Sequence, residues 1–318
     1  MTDFVTGATG FIGRRLVDRL LADGRQVSAL VRNDQHGLPA AVQTVRGDIL
    51  QPETLAGGNG STVYHLAACI SFDPKRRDEL VRINSDGTRN VLDAARAWGA
   101  QRTVVVSSAI TLGLSDAADR VLDESHTADA AQAARNPYMA SKLATEKVAL
   151  ERAGEEPIVV VNPTTVYGPG DTSLNSGTLI AKVAGSKLLP VPSGGGNVID
   201  VDDVVTGIIA AAERGAPGQR YVLGSENLRF AEIIDTVARV IDRRPLRVPV
   251  PRWSRPLFGA AAGVLGAVTG GRFLTPQLIE DLFSFKFYSP ARAAAELGWK
   301  PSYTFAESVQ RAWDFYRE

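Results

Sequence analysis

The chain has 318 residues, 44% of them apolar, with 35 basic side chains against 35 acidic ones. It is long enough for a large core and a second lobe, and it lacks the basic surface that nucleic acid or an anionic membrane would need. Its single cysteine, Cys69, excludes an internal disulfide, and three scattered histidines, His36, His65 and His126, offer no metal-ligand spacing, which leaves a small-molecule ligand, a reducing cytoplasm and no metal as the expectation.

A short apolar strand at Phe4-Val5 runs into Gly7-Ala8-Thr9-Gly10-Phe11-Ile12-Gly13, and a helical pattern follows from Arg14 to Ala22. Strand, glycine turn and helix in this order make a phosphate-binding turn. Gly7 permits the sharp turn, Gly10 lets backbone approach a pyrophosphate, Gly13 lets the helix lie close to the strand, and the helix N-terminus offers unpaired N–H groups to the anion. A strand this near Met1 leaves no room for a signal peptide, so a cytoplasmic location is expected. Strands follow at 26–31, at 42–45 (closing at Arg46-Gly47-Asp48) and at 62–66. A helix at 79–98 carries Leu80, Ile83, Val91, Leu92 and Ala95 at helical spacing, and 103–106 is a β-branched run typical of a buried parallel strand. This alternation predicts an α/β fold built on a doubly wound parallel sheet.

A helix at 137–153 and a strand at 158–161 continue the pattern. Residues 163–192, dense in Gly, Pro, Ser and Thr, then read as loop with one short helix at 179–184. A strand at 221–223, a helix at 230–241, a Pro-rich segment at 245–256 and helices at 290–297 and 305–316 complete the reading. The most apolar run, Leu257 to Val268, is shorter than the roughly 20 residues of a membrane span and reads as a packed or lid helix or a membrane-surface contact.

Tyr138 and Lys142 stand four apart in a helical segment, so both project from one face about a turn apart. A free phenol titrates near about 10, and an adjacent ammonium, together with an oxidised nicotinamide, would lower that value. Ser107-Ser108 end the strand at 103–106, on the carboxyl side of the sheet where the glycine turn also lies, and a hydroxyl there can hold a carbonyl oxygen.

The chain resembles the extended short-chain dehydrogenase/reductases, the superfamily of sugar-nucleotide epimerases, dihydroflavonol reductases and 3β-hydroxysteroid dehydrogenases. The resemblance rests on residues 7–13, Gly47-Asp48, His65-Leu66-Ala67-Ala68, Asn84 with Gly87-Thr88, Ser107-Ser108, Tyr138 to Lys142, Asn162-Pro163 leading to Tyr167-Gly168-Pro169, Val201-Asp202-Asp203-Val204, and Leu297-Gly298-Trp299 with Pro301. It implies a Rossmann-like sheet with a smaller, mostly C-terminal α/β lobe: residues 1–165 as the dinucleotide-binding domain, with 198–224 returning to it, and 166–197 and 225–318 as the substrate lobe. It also implies Tyr138 as proton donor or acceptor, Lys142 bonding the nicotinamide ribose, Ser108 orienting the substrate oxygen and Asn84 supporting a proton relay. Gly7, Thr9, Gly10, Phe11, Ile12, Gly13, Asp48, Ile49, Leu66, Ala67, Ala68, Pro163 and Val166 would line the cofactor. The helices at 84–98 and 137–153 resemble those through which relatives form a homodimer.

Where NAD-preferring relatives carry an acidic residue after the second strand, this chain has Arg32-Asn33, so a 2′-phosphate on Arg32, and hence NADP(H) over NAD(H), is expected. Sugar-nucleotide epimerases usually carry Arg-Asp where this chain has Gly196-Asn197, although Arg252 or Arg272 are available to substitute. The resemblance is closest to the dihydroflavonol-reductase-like and 3β-hydroxysteroid dehydrogenase-like branch, which implies hydride transfer to or from a mainly apolar ketone or aldehyde, with 257–268, Phe273, Phe283, Phe285 and Phe287 as pocket or core. A sugar-nucleotide epimerase or dehydratase, and a non-catalytic dinucleotide sensor, are the alternatives.

Overall fold

The computed structural model describes residues 2–34, 37–56, 58–174, 176–258 and 276–318. Its main sheet has seven strands, all parallel, in the order β3 (Gln43–Arg46), β2 (Gln26–Val31), β1 (Thr2–Thr6), β4 (Thr62–His65), β5 (Arg102–Val106), β6 (Ile158–Pro163) and β10 (Arg220–Leu223). Helices α1 (Phe11–Ala22) and α6 (Val201–Arg214) pack on the face that presents Val5, Val104, Val106, Val159 and Val161. The longer pair, α2 (Arg77–Ala97) and α4 (Pro137–Arg152), covers the other face, where Phe4, Val63, Val105 and Val160 point. Strands covered on both faces read as continuous apolar runs, which is why β5 and β6 were legible without alternation. Chain order reverses between β1 and β4, and the loops leaving these two strands open the crevice in which this class of sheet binds ligands.

The smaller lobe holds a sheet in which β9 (Gly195–Asp200) pairs with β11 (Glu226–Arg229), β13 (Phe285–Lys286) and β7 (Thr165–Tyr167). A separate parallel pair joins β8 (Leu188–Pro192) to β12 (Leu246–Val250). Between α2 and α4 the chain adds α3 (Ala130–Arg135). Within the lobe lie α5 (Gly177–Gly185), α7 (Phe230–Val240), α8 (Pro276–Phe283), α9 (Ala291–Leu297) and α10 (Phe305–Arg317). Ile180, Val183, Ile233, Val237, Phe305 and Val309 form the lobe's own core.

Several elements depart from the sequence expectation. Residues 163–192 and 245–256, read as loop and Pro-rich segment, contain strands: β8 and β12 carry Pro190, Pro192 and Pro249, and among the described residues they pair only with each other, where a missing N–H is tolerated. β9 was hidden by its glycines. A Cβ at Gly194 would stand 2.4 Å from the Ser284 carbonyl oxygen and one at Gly195 2.6 Å from that of Leu228, so close backbone packing requires them. Of the two readings open for Phe283, Phe285 and Phe287, core rather than pocket wall holds: all three are buried, and the rings of Phe285 and Phe287 lie 5.3 Å apart. Leu257 is exposed, whereas residues 259–268, Arg272, Phe273 and His36 lie outside the described residues. Among the described residues no helix is long and apolar enough to cross a membrane, and no cluster of His, Cys, Asp and Glu could hold a metal ion.

The Val201-Asp202-Asp203-Val204 motif joins the two lobes. Asp200 caps α6 by accepting from the Asp202 N–H, and Asp202 takes a bidentate bond from Arg15 of α1 at 2.8 and 2.7 Å. Arg311 of α10 bonds Asp200 at 2.7 Å and also Asp202, and it stacks 4.3 Å over the Tyr303 ring. Asp203, itself buried, accepts the backbone N–H groups of Ser302 and Tyr303 at 2.8 and 3.0 Å. Asp203→Ala leaves both donors without their acceptor, so we expect a stability loss of about 2 kcal/mol or more in urea unfolding.

Candidate active site

β1 ends at Thr6, and Gly7 turns the chain with φ of +72°, a region that L side chains avoid. A Cβ at Gly7 would lie 2.6 Å from the Ala67 nitrogen, and one at Gly13 only 2.1 Å from the Gly7 carbonyl oxygen, so the turn, the loop after β4 and α1 close on one another. Gly10 differs, because its nearest such neighbour is Gly7 O at 3.3 Å and the residue is exposed. It directly precedes α1, whose N-terminus has neither a side-chain cap nor an acidic residue in its first turn. Thr9 and Gly10 are exposed, with Phe11 and Ile12 half-buried beside them. Uncapped N–H groups, the positive end of a helix and a bare backbone fit the pyrophosphate of a dinucleotide.

A helix start places the candidate side chains Tyr138 and Lys142. Asn136 accepts the Met139 N–H at 3.0 Å and Pro137 occupies the first turn, so α4 begins just ahead of Tyr138 and its phase is fixed there. Tyr138 is hydrogen-bonded with the Ser108 side chain, at the carboxyl end of β5. Lys142 is buried one turn on and donates to the Val106 carbonyl oxygen at 3.0 Å. Burial pushes the Tyr138 phenol above its ordinary value, against the opposing Ser108 bond. Burial also pushes the Lys142 ammonium down to about 8, against the pull of Glu146. This corrects one expectation: the chain's own residues do not acidify the phenol, since the cost of burying a phenolate outweighs the help that they give.

Asn84 does not meet these three side chains. Its amide is spent on Cys69, whose N–H it accepts at 2.7 Å and whose carbonyl it donates to at 3.0 Å, and on the Ser141 hydroxyl at 2.9 Å. Behind it runs a buried polar chain that sequence reading missed. The Ala67 N–H donates to Thr6 Oγ1 (3.2 Å), which lies 2.7 Å from His65 Nδ1; His65 Nε2 lies 3.0 Å from Thr88 Oγ1, whose proton goes to the Asn84 carbonyl at 2.6 Å. Each hydroxyl has one proton to give, so the chain is directed and His65 is neutral with its proton on Nε2. Burial, with Lys142 adding to it, pushes His65 down to about 3. The Asn84, Gly87-Thr88 and His65 to Ala68 motifs are thus one assembly fastening the loop after β4 to α2.

The remaining expected residues lie at or just after the carboxyl ends of β2, β3, β4 and β6. Asp48 is half-buried and accepts the Leu50 N–H at 2.9 Å, while the Ile49 side chain packs against Gly87, where a Cβ would stand 2.5 Å from Ile49 Cδ1. Leu66 and Ala67 are half-buried and Ala68 is exposed; Pro163 is buried at the end of β6, and Val166 is half-buried in β7. Arg32 is exposed at the end of β2 and makes no ion pair among the described residues. Ser107 Oγ and Asn162 Oδ1, at the carboxyl ends of β5 and β6, are buried without a hydrogen-bond partner among the described residues.

Sequence reasoning also missed Phe72, which is 55% exposed yet sets its ring edge-on to that of Tyr138, centroids 5.6 Å apart. No periodicity marks a loop aromatic. At the position where a diphosphate-clamping arginine would sit, Gly196 is buried. The neighbouring Asn197 is a structural hub, accepting from Thr164 Oγ1 and the Ser225 N–H at 2.8 and 3.0 Å and donating to Asn227 Oδ1 at 2.8 Å.

The model of the NAD dependent epimerase/dehydratase family matches residues 4–224. A dihydroflavonol 4-reductase-like protein of Synechocystis sp. is 35% identical over 310 residues, covering 93% of this chain and 89% of its own. The UDP-glucose 4-epimerase of Mycolicibacterium smegmatis is 28% identical over 340 residues, covering 100% and 99%. Among solved structures, that of gox2253 superposes with a TM-score of 0.85 at 27% identity, over 99% of this chain and 98% of its own.

Proposed function

Because the chain belongs to the NAD dependent epimerase/dehydratase family, we propose that it is an NADP(H)-dependent oxidoreductase that reduces a ketone or aldehyde of a mainly apolar small molecule, or oxidises the alcohol. It is an NAD(P)-dependent enzyme of the extended short-chain dehydrogenase/reductase type. Bound at this site, a nicotinamide would supply or accept the hydride. Tyr138 gives its phenolic proton to the substrate oxygen in reduction and takes one back in oxidation. Ser108, bonded to the same phenol, holds that oxygen, and Lys142 keeps a positive charge within reach of the ribose. Asp48, Ile49, Leu66, Ala67 and Ala68 border the adenine half, and Pro163 and Val166 the nicotinamide half. A homodimer through α2 and α4 belongs to the same proposal.

The observation that carries the apolar substrate is Phe72, an exposed aromatic ring resting on the reacting phenol, where it offers an apolar surface to whatever approaches Tyr138. The missing arginine at Gly196 supports the same reading. Incubated with a panel of aryl and alkyl ketones and aldehydes, the protein is expected to consume NADPH. The UDP-glucose 4-epimerase relative favours a second reading, in which the same tyrosine serves a sugar nucleotide. Purified protein that retains NAD, leaves NADPH untouched across the panel and interconverts UDP-sugars would replace the first reading by the second.

Coenzyme choice is tested at Arg32, which is exposed and has no competing carboxylate partner among the described residues. In fluorescence titrations Arg32→Ala is expected to weaken NADPH binding roughly tenfold, about the value of one charge-assisted phosphate contact, and to leave NADH unchanged. Tighter NADH than NADPH binding in the unaltered protein would remove the NADP preference.

A further inference from the structure

Tyr138, Lys142 and Glu146 succeed one another at intervals of four along α4, so their side chains lie on one face of the helix. Glu146 is buried, 3% exposed, and has no part in the chemistry derived above. Its Oε1 accepts from the Thr111 hydroxyl at 2.7 Å and from the Asn162 amide, and its Oε2 accepts from Arg220 of β10 at 3.1 Å. Thr111 and Asn162 also reach the Ser108 carbonyl oxygen, at 2.8 and 3.1 Å, and Asn162 reaches Thr111 Oγ1 at 3.1 Å. One hydroxyl proton and two amide protons therefore serve three acceptors, Glu146 Oε1, Ser108 O and Thr111 Oγ1. The amide orientation follows, because the reverse would set Asn162 Oδ1 against the carboxylate.

We propose that Glu146 is a positioning residue for this site: its buried carboxylate, one turn beyond Lys142, fixes the serine-bearing turn through Thr111 and Asn162 and balances the Lys142 ammonium. The charged and titratable groups around it come from four elements. On α4 itself are Tyr138 and Lys142; β4 contributes His65 beside Lys142; β10 contributes Arg220, which also bonds the Glu124 carbonyl at 2.6 Å; and α9 contributes Arg292, 3.9 Å from the Glu124 carboxylate. Neutral His65 brings no counter-charge, and Arg220 is a cation, so Glu146 is the anion that opposes the burial of Lys142. Without it the lysine sheds its proton at lower pH, and the turn carrying Ser108 loses the acceptor that organises Thr111 and Asn162.

The proposal rests on Tyr138, Ser108 and Lys142 being the reacting set, but its test does not. The chain has seven lysines, so side-chain lysine NMR resolves them individually, with Lys142 identified by its loss in Lys142→Arg. In the unaltered protein Lys142 is expected to titrate near about 8, and Glu146→Gln to move that midpoint down by roughly one pH unit while the other six stay put. Glu146→Asp, which keeps the charge, is expected to restore most of the shift. A folded Glu146→Gln protein with the Lys142 midpoint unmoved overturns the proposal. Should that variant not fold, the Glu146 13Cδ resonance of the unaltered protein decides: an inflection at the pH where Lys142 loses its proton supports the coupling, and its absence overturns it. Failure of the carbonyl panel would overturn the substrate reading and leave this titration as it is.

Discussion

Tyr138→Phe is expected to lower turnover by at least ~1,000-fold, the upper part of the range for losing a general acid, with the dissociation constant for the coenzyme unchanged. The substitution removes one oxygen, whose partner here is the Ser108 hydroxyl, and keeps the ring that packs edge-on with Phe72. Fold and pocket shape are therefore preserved while proton transfer is lost. The direction of the phenol's shift adds a pH signature. Burial raises Tyr138, so the group is a protonated donor across the neutral range and reduction is supported there. Reduction should decline as Lys142 loses its proton around about 8, while alcohol oxidation, which needs the phenolate, should rise with increasing pH. Stopped-flow single-turnover rates in each direction test both statements. Retained turnover in Tyr138→Phe, or an oxidation rate that falls with rising pH, would remove Tyr138 from the chemistry.

The second large effect divides the glycines of the turn into two kinds. Gly13→Ala puts a methyl group 2.1 Å from the Gly7 carbonyl oxygen, so α1 must move away from β1. We expect dinucleotide affinity to fall by at least ~100-fold, about 2.7 kcal/mol, together with an overpacking loss of stability of about 1–3 kcal/mol. Gly10→Ala meets a single close atom, the Gly7 carbonyl oxygen at 3.3 Å, which has to give by a few tenths of an ångström, and the added methyl group lies at an exposed residue where a pyrophosphate would rest. It should unfold close to the parent protein, far less affected than Gly13→Ala, and still bind the dinucleotide poorly. Calorimetric melting with and without coenzyme separates the two cases: the parent melts higher with coenzyme, Gly10→Ala melts close to the coenzyme-free parent without that rise, and Gly13→Ala melts lower in both conditions. A Gly10→Ala protein that binds normally would place the phosphates elsewhere.

What could be read from the sequence was what depends on neighbours along the chain. The glycine turn, the four-residue spacing of Tyr138 and Lys142 and the β-branched runs of β5 and β6 carry their geometry within a few residues. The assembly behind them does not: Thr6, His65, Thr88 and Asn84 come from β1, β4 and α2, and only folding reveals that their hydroxyls and imidazole form one directed chain. Glu146 had the same fate, since its spacing from Lys142 was visible but its partners Thr111, Asn162 and Arg220 were not. Asn84 was assigned to a proton relay by resemblance, whereas its amide spans Cys69 and Ser141. In the smaller lobe, local reading failed because tertiary contacts override local preference: glycines demanded by backbone contact concealed β9, and prolines concealed β8 and β12. α6 was absent from the sequence reading although Val201, Val204, Val205, Ile208, Ile209 and Ala212 stand at helical spacing, a period that was there to be read.

The fastening of Asp202 to both Arg15 and Arg311 has a mechanical result. The helix that follows the glycine turn and α10 grip a single carboxylate, so the lobes cannot part at that edge without dragging α1 or tearing one guanidinium free.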